Sequence, residues 1–270
     1  MDDEVFSKDN KKSFAGSKIV TAEVSIDWGL FCILYGHAGC GKTTLAAAAE
    51  DSEYGKPCVI MDAEGGVRSI AHRKQQVIKI TKWDQVTNII EALKSGKDCP
   101  WKTIIWDNAS ELQVKNMEKV NPSGDAPTQP QWGKNTIEML QWIRDCRDIA
   151  QTRSINIIII AWDSVEDDAG SKRRYIHFTP KLSEKAPGIV DIIGHITVQN
   201  NPPNFTRILS FSPSPKTDAK FRRAENEPAV DIPLQIPYGL ANLPMGDLLD
   251  TLRGGKPWPK NKYKALSSTA

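Results

Sequence analysis

Apolar positions along this chain fall into short unbroken runs that alternate with segments spaced for one face of a helix. Runs of strand length occupy residues 30–35, 58–61, 103–106 and 155–162, the last interrupted only by Asn156 near its start, and Gln76-Val77-Ile78-Lys79-Ile80 reads as a further short strand of mixed polarity. Strands apolar at every position are buried on both faces, as in a parallel sheet. Between them, residues 44–50 are rich in helix formers, and Val86, Ile89, Ile90 and Leu93 recur at one-face spacing before Ser95-Gly96. Residues 109–120 also read as helical. Ile137, Leu140, Ile143 and Cys146 mark an amphipathic helix ending near Thr152, and residues 246–252 a last helix. Residues 121–132 carry Pro122, Gly124, Pro127 and Pro130 and read as an exposed loop. Residues 195–199 and 206–211 alternate as antiparallel strands do. The expected fold is α/β, a mostly parallel sheet covered by helices on both faces, with antiparallel strands toward the C-terminal part.

The first strand runs into Gly36-His37-Ala38-Gly39-Cys40-Gly41-Lys42-Thr43-Thr44, which fits the phosphate-loop pattern G-x-x-x-x-G-K-[ST]. A loop wrapping a polyphosphate turns successive backbone N–H groups inward, through dihedrals that glycine tolerates best. Lys42 then reaches the β and γ phosphates of ATP, the Thr43 hydroxyl ligates the accompanying Mg²⁺, and the following helix adds its positive end. The second strand ends in Asp62-Ala63-Glu64-Gly65-Gly66, with acids at the ligand-binding edge of such a sheet. Glu64 is a candidate general base for water attacking the γ-phosphate; the alternative is that Asp62 and Glu64 shape a turn or cap a helix. Residues 103–107 end in Asp107, placed as the acid that holds Mg²⁺ through water or Thr43. A later strand ends in Asp163, which either faces the same edge or opens a turn.

At 270 residues and 40% hydrophobic content the chain can bury a full core. No apolar run is long enough to span a bilayer, and Met1-Asp2-Asp3-Glu4 is acidic where a secretory signal is basic, so a cytoplasmic protein is expected. The cysteines Cys32, Cys40, Cys58, Cys99 and Cys146 are scattered without a C-x-x-C pair, which argues against a disulfide framework or a zinc site. Cys40 stands apart, because positive potential in the phosphate loop favours a thiolate. A net charge of +2 requires any nucleic-acid surface to be local.

Three domain segments are expected: a flexible arm over residues 1–18, an ATPase domain over 19–250 and a basic flexible tail over 251–270. The arm suits either subunit contacts or a disordered terminus. The tail carries Arg253, Lys256, Lys260, Lys262 and Lys264 around Pro257-Trp258-Pro259; it suits a nucleic-acid or partner contact, or nothing specific. Residues 164–187 place Glu166, Asp167 and Asp168 before Lys172, Arg173, Arg174 and Tyr175. That order suits a hairpin or mobile loop that tracks a phosphate backbone and stacks bases, or a solvated hairpin of mixed charge.

The order of phosphate loop, residues 58–64, residues 103–109 and the strand ending at Asp163 resembles the RecA core. It is more closely similar to phage-encoded AAA-domain nucleotide-binding proteins of RecA-like type, regarded as single-strand annealing proteins or recombinases. The resemblance covers about residues 28–225. It implies an ATPase that assembles as a ring or filament on single-stranded DNA in the host cytoplasm, with a single-stranded-DNA-binding protein as a further partner. Glu64 would be the catalytic carboxylate and Asp107 the Walker B acid. Lys172, Arg173 and Arg174 would lie where such proteins hold a DNA-binding loop, and Lys220 and Arg222 would reach a neighbouring subunit's ATP. Departures from that family are Trp162-Asp163 in place of the polar amide that senses the γ-phosphate and the acidic Glu166-Asp167-Asp168 cluster in the loop expected to meet DNA; separately, Asn108 follows Asp107 where AAA+ remodellers and helicase loaders place glutamate, which counts against that reading. Further readings are such a remodeller, a nucleotide-gated oligomer without required turnover, and a small-molecule kinase, for which no acceptor site is identifiable.

Overall fold

The computed structural model describes residues 13–14, 17–18, 28–168, 171–201, 204–222 and 231–263. Strands β1 (Ser13–Phe14) and β2 (Ser17–Lys18) pair antiparallel within the expected arm, whose other residues lie outside the description. The body then runs β3 (Phe31–Gly36), α1 (Lys42–Ala47), β4 (Cys58–Asp62), β5 (Gln76–Lys79), α2 (Trp83–Lys94), β6 (Thr103–Asp107), α3 (Ala109–Val120) and α4 (Gln129–Arg153). It continues through β7 (Asn156–Asp168), β8 (Ser171–Ile176), α5 (Pro180–Ile189), β9 (Ile192–Asn201), β10 (Asn204–Ser210), β11 (Lys220–Phe221), β12 (Gln235–Tyr238) and α6 (Met245–Gly254). Short 3₁₀ turns, Ala48–Asp51 and Val67–Arg73, follow α1 and β4.

The main sheet has the order β12-β10-β9-β3-β7-β6-β4-β5. From β9 to β5 neighbours are parallel, while β10 and β12 extend the sheet antiparallel beyond β9. The expected α/β architecture is therefore the observed one. β3, β4 and β6 are buried at every position, as continuous apolar runs require. Side-chain alternation splits them between two cores. Ile33, Trp106 and Ile159 pack under the α2–α5 side, and Leu34, Ile105 and Ile160 under the α1 and α6 side. Asn156, the polar break in the β7 run, is buried and satisfied. Its Oδ1 accepts from Leu30 N at 3.0 Å, and its Nδ2 donates to Tyr54 O at 2.8 Å and Thr103 Oγ1 at 3.1 Å, stitching the strand starts together.

Several segments differ from the sequence expectation. The loop expected over 121–132 is shorter, because Thr128 and Gln131 form a capping box and Pro130 sits in the first turn, where a missing N–H costs nothing. Residues 164–168 and 171–176 pair as a β7–β8 hairpin, one of the expected readings, but the helix α5 that follows was not expected. β9 begins at Ile192 and serves two partners, β3 in parallel over Ile192–Ile196 and β10 antiparallel further on. The expected flexible tail is packed as far as Tyr263. Trp258 is 4% exposed and stacks on Tyr263 with centroids 5.2 Å apart, while Lys256, Lys260 and Lys262 pair with Asp250, Asp231 and Asp247. Two buried aromatics outweigh the segment's charge, which the acids match. Residues 264–270 lie outside the description.

This packing sets an expected outcome. Trp258→Ala removes a buried indole and should cost about 3 kcal/mol of unfolding free energy, measured as a lower urea midpoint for the full chain. An unchanged midpoint would return the segment to the status of a free tail.

Candidate functional site

β3 delivers the chain to the carboxyl edge of the sheet, and residues 37–41 turn it back into α1. The turn needs left-handed backbone at Gly39 (φ 78°) and Gly41 (φ 93°), which only glycine adopts without strain. Lys42 is buried, and its Nζ donates to Gly36 O at 2.8 Å and His37 O at 3.0 Å, so its charge sits at the loop's centre. His37 is exposed, with Nδ1 2.7 Å from Ala38 O. Ala38, Gly39, Gly41, Lys42, Thr43 and Thr44 form one wall of a cavity of about 490 Å³, and Glu64, Gly66 and Trp162 face them. A cavity of this size accommodates a nucleotide.

Asp107 ends β6, which β7 separates from β3. Even so, Thr43 Oγ1 donates to Asp107 Oδ2 at 2.7 Å. Asp107 is 1% exposed and its Oδ1 has no partner among the described residues. Burial pushes its carboxyl up from an ordinary 3.8 to about 6; the charges of Glu64 and Asp62 add to the rise, and the Thr43 hydrogen bond and the Lys42 charge oppose it. An orphaned carboxylate oxygen beside a hydroxyl is a hard oxygen donor set that suits Mg²⁺ shared with phosphates. Among the described residues no group of three His, Cys, Asp or Glu makes a metal cage.

The turn after β4 is built on Asp107 as well. Ala63 N and Glu64 N donate to Asp107 O at 2.7 and 3.3 Å, and Gly65 N donates to Asp62 Oδ1 at 2.7 Å. Asp62 thus shapes the turn, while Glu64 opens on the cavity. Asn108 Nδ2 donates to Glu64 Oε2, and Asn108 Oδ1 accepts from Glu111 N at 2.8 Å. The residue after Asp107 is therefore at once the cap of α3 and a clamp on Glu64.

Other expected site residues fall elsewhere. Asp163 lines a second cavity of about 390 Å³ with Cys40, His195 and Arg174, and pairs with Arg174 at 2.6 Å. Trp162, not Asp163, reaches the phosphate-loop cavity. Lys172 and Arg173 are exposed on the hairpin, Arg174 and Tyr175 half-buried, and Arg173 pairs with Asp218 at 3.1 Å. Glu166 is exposed; the side chains of Asp167 and Asp168 lie outside the description. Lys220 Nζ donates to Pro187 O and Val190 O, and Arg222 pairs with Asp191, so both are engaged within their own chain. Cys40 corrects its expectation. It is buried, and burial raises its thiol pKa further than the Lys42 charge lowers it, so no thiolate is favoured.

Ser69, His72, Arg73, Arg207, Leu240 and Leu243, none of them expected from the sequence, complete the walls of the phosphate-loop cavity. Arg73 is held by Asp51 at 2.7 Å. Arg207 Nε donates to Cys40 O at 3.0 Å. No local motif marks these residues; sheet pairing and the 3₁₀ turn bring them in.

The AAA domain family, AAA_24, matches residues 29–223, so the chain belongs to that family and carries an AAA-type P-loop nucleotide-binding domain. Among solved structures it is similar to the RadB recombinase, at 17% identity over 67% of this chain and 80% of that one, with a TM-score of 0.40. It is also similar to a KaiC-like protein from the hyperthermophilic archaea Pyrococcus horikoshii OT3, at 14% identity over 78% and 86%, with a TM-score of 0.41. No curated protein matches the chain.

Asp107 allows a test of stability against function. Its folded pKa lies above its unfolded one, so the folded state holds the extra proton and stability falls as pH rises from about 4 to about 6. Asp107→Asn removes the buried charge and keeps an acceptor for Thr43. Its melting temperature should exceed that of the unaltered chain by at least about 2 °C at pH 8 and converge with it by about pH 4. A lower melting temperature at every pH would refute this account of Asp107.

Proposed function

We propose that this member of the AAA domain family is an ATPase that assembles on single-stranded DNA and acts in recombination or strand annealing, as the phage-encoded proteins with the same motif order are held to do. The nucleotide half rests on one observation, the 2.7 Å bond from the Thr43 hydroxyl to the Asp107 carboxylate, with Lys42 and Glu64 opening on the same cavity. Backbone N–H groups of the loop would cradle the α and β phosphates of ATP. Lys42, held by two carbonyls, would exchange them for β- and γ-phosphate oxygens. Thr43 and Asp107 would hold Mg²⁺, which when bound neutralises charge on the transferring phosphoryl group. Glu64, held by Asn108 and facing the γ-phosphate end, would orient a water and take its proton.

The DNA half is supported by the motif order and by the β7–β8 hairpin, whose exposed Lys172 and Arg173 stand beside the half-buried Tyr175. Cations next to an aromatic ring suit a strand with accessible phosphates and bases. Asn108 as a helix cap weighs against a remodeller or helicase loader, because the position after Asp107 is committed to holding Glu64 from outside rather than supplying a glutamate itself. Among the described residues no helix is long and apolar enough to cross a membrane.

Hydrolysis measured with and without single-stranded oligonucleotide tests both halves. Turnover should rise with DNA, and Glu64→Gln should lower it by at least about 100-fold while ATP still binds. No stimulation, together with no oligonucleotide shift at low salt, would sink the DNA reading. Annealing that survives in Glu64→Gln would favour a nucleotide-gated oligomer without required turnover.

A further inference from the structure

The antiparallel extension of the sheet sends a cation into the phosphate-loop cavity. Arg207 lies on β10, separated from β3 by β9, and its side chain reaches back to residues 40–41. Its Nε donates to Cys40 O at 3.0 Å, and the side chain lies over Gly41. There a Cβ would come within 3.0 Å of Nε and 3.8 Å of Cζ. Gly41 is thus required by its backbone and also by the arginine laid across it. One donor of the guanidinium fork is spent on the loop. Among the described residues no carboxylate pairs with Arg207, whereas Arg73, Arg174 and Arg222 each have an acid partner. An arginine held rigid, without a counter-ion, on the wall of an anion-binding loop has its remaining donors arranged for phosphate oxygens.

We propose that Arg207 is a nucleotide ligand supplied by the same chain, and that it binds the α- and β-phosphate oxygens rather than the γ-phosphate. The inference rests on the cavity being a nucleoside triphosphate site. Position argues for the α/β end. Arg207 is anchored at Cys40 and Gly41, in the part of the loop whose N–H groups face the α and β phosphates. The γ end lies toward Thr43, Asp107 and Glu64. An α/β contact serves the diphosphate and the triphosphate alike, so Arg207 would set affinity for both and would not discriminate between them.

The test is equilibrium binding of a fluorescent ADP and of a non-hydrolysable fluorescent ATP analogue, with Mg²⁺, to the full chain. Arg207→Gln keeps an amide able to donate to Cys40 O and loses the charge. Its Kd should rise about tenfold for both nucleotides, the scale of one lost hydrogen bond to a charged group. Arg207→Lys keeps the charge and should recover part of that loss. Unchanged affinity in Arg207→Gln, or a loss confined to the triphosphate, overturns the inference. Arg207→Lys as weak as Arg207→Gln also overturns it, because the charge at residue 207 would then contribute nothing to nucleotide affinity. If the unaltered chain binds neither nucleotide, the reading of the cavity itself fails, which is a different result from a binding chain that is indifferent to residue 207.

Discussion

A single buried carboxylate joins parts of the sheet that do not touch. β3 and β6 lie on opposite sides of β7, so the phosphate loop and Asp107 have no backbone hydrogen bond between them. The Asp107 side chain closes that gap, while its backbone and the following residue tie in the turn after β4. Its side chain accepts from Thr43, its carbonyl accepts from Ala63 N and Glu64 N, and the next residue clamps Glu64 and caps α3. The first of these carries a cost, since an ionised group at the floor of a sheet gives up solvation that one hydroxyl does not replace. The raised carboxyl pKa registers that cost. Hydrogen bonds from the backbone and the cap meanwhile fix the turn after β4 and Glu64 against the end of β6.

From that point the order passes along α3 into the base of the hairpin. Ser110 Oγ donates to His177 O at 3.0 Å and accepts from Trp162 N at 3.2 Å. Gln113 donates to Asn135 Oδ1 and Thr179 Oγ1, each at 3.0 Å, and accepts from Thr179 N at 3.2 Å. Asn135 is fully buried and donates in turn to Gln113 O and Asn116 Oδ1. A buried polar network with these partners fixes the register of α3 against α4 and of both against residues 177–179. The hairpin is therefore mounted on the helix whose first turn holds Glu64.

The strands and the phosphate loop were legible in the sequence because their signals are local. Unbroken apolar runs mark strands buried on both faces, and a loop that wraps phosphate needs its glycines at fixed offsets. Asp107 and Glu64 were readable for the same reason, each standing at the end of such a run. What was not legible depends on partners distant in sequence. Pro130 looked like loop punctuation until Thr128 and Gln131 capped a helix around it. Arg207 looked like one polar position of an alternating strand, and only the pairing of β10 with β9 and of β9 with β3 brings it to Cys40. Trp258 and Tyr263 sat among lysines whose acid partners lie on other elements. Cys40 misled because loop potential was weighed without burial, and burial prevails there.

The same balance of local signal and distant partner explains the acids that sit awkwardly beside the hairpin's cations. Arg174 pairs with Asp163 on the opposing strand, and Arg173 with Asp218 in the segment before β11. Both arginines are partly exposed while both acids are largely buried, so each pair is anchored from the acid side and open to solvent from the other. With the arginine side in solvent, each pair is screened from that side. The acids accordingly hold the hairpin's arginines in place. Arg174 also borders the second cavity behind the phosphate loop, with Asp163, His195 and Cys40. The hairpin and the phosphate loop therefore share one electrostatic environment.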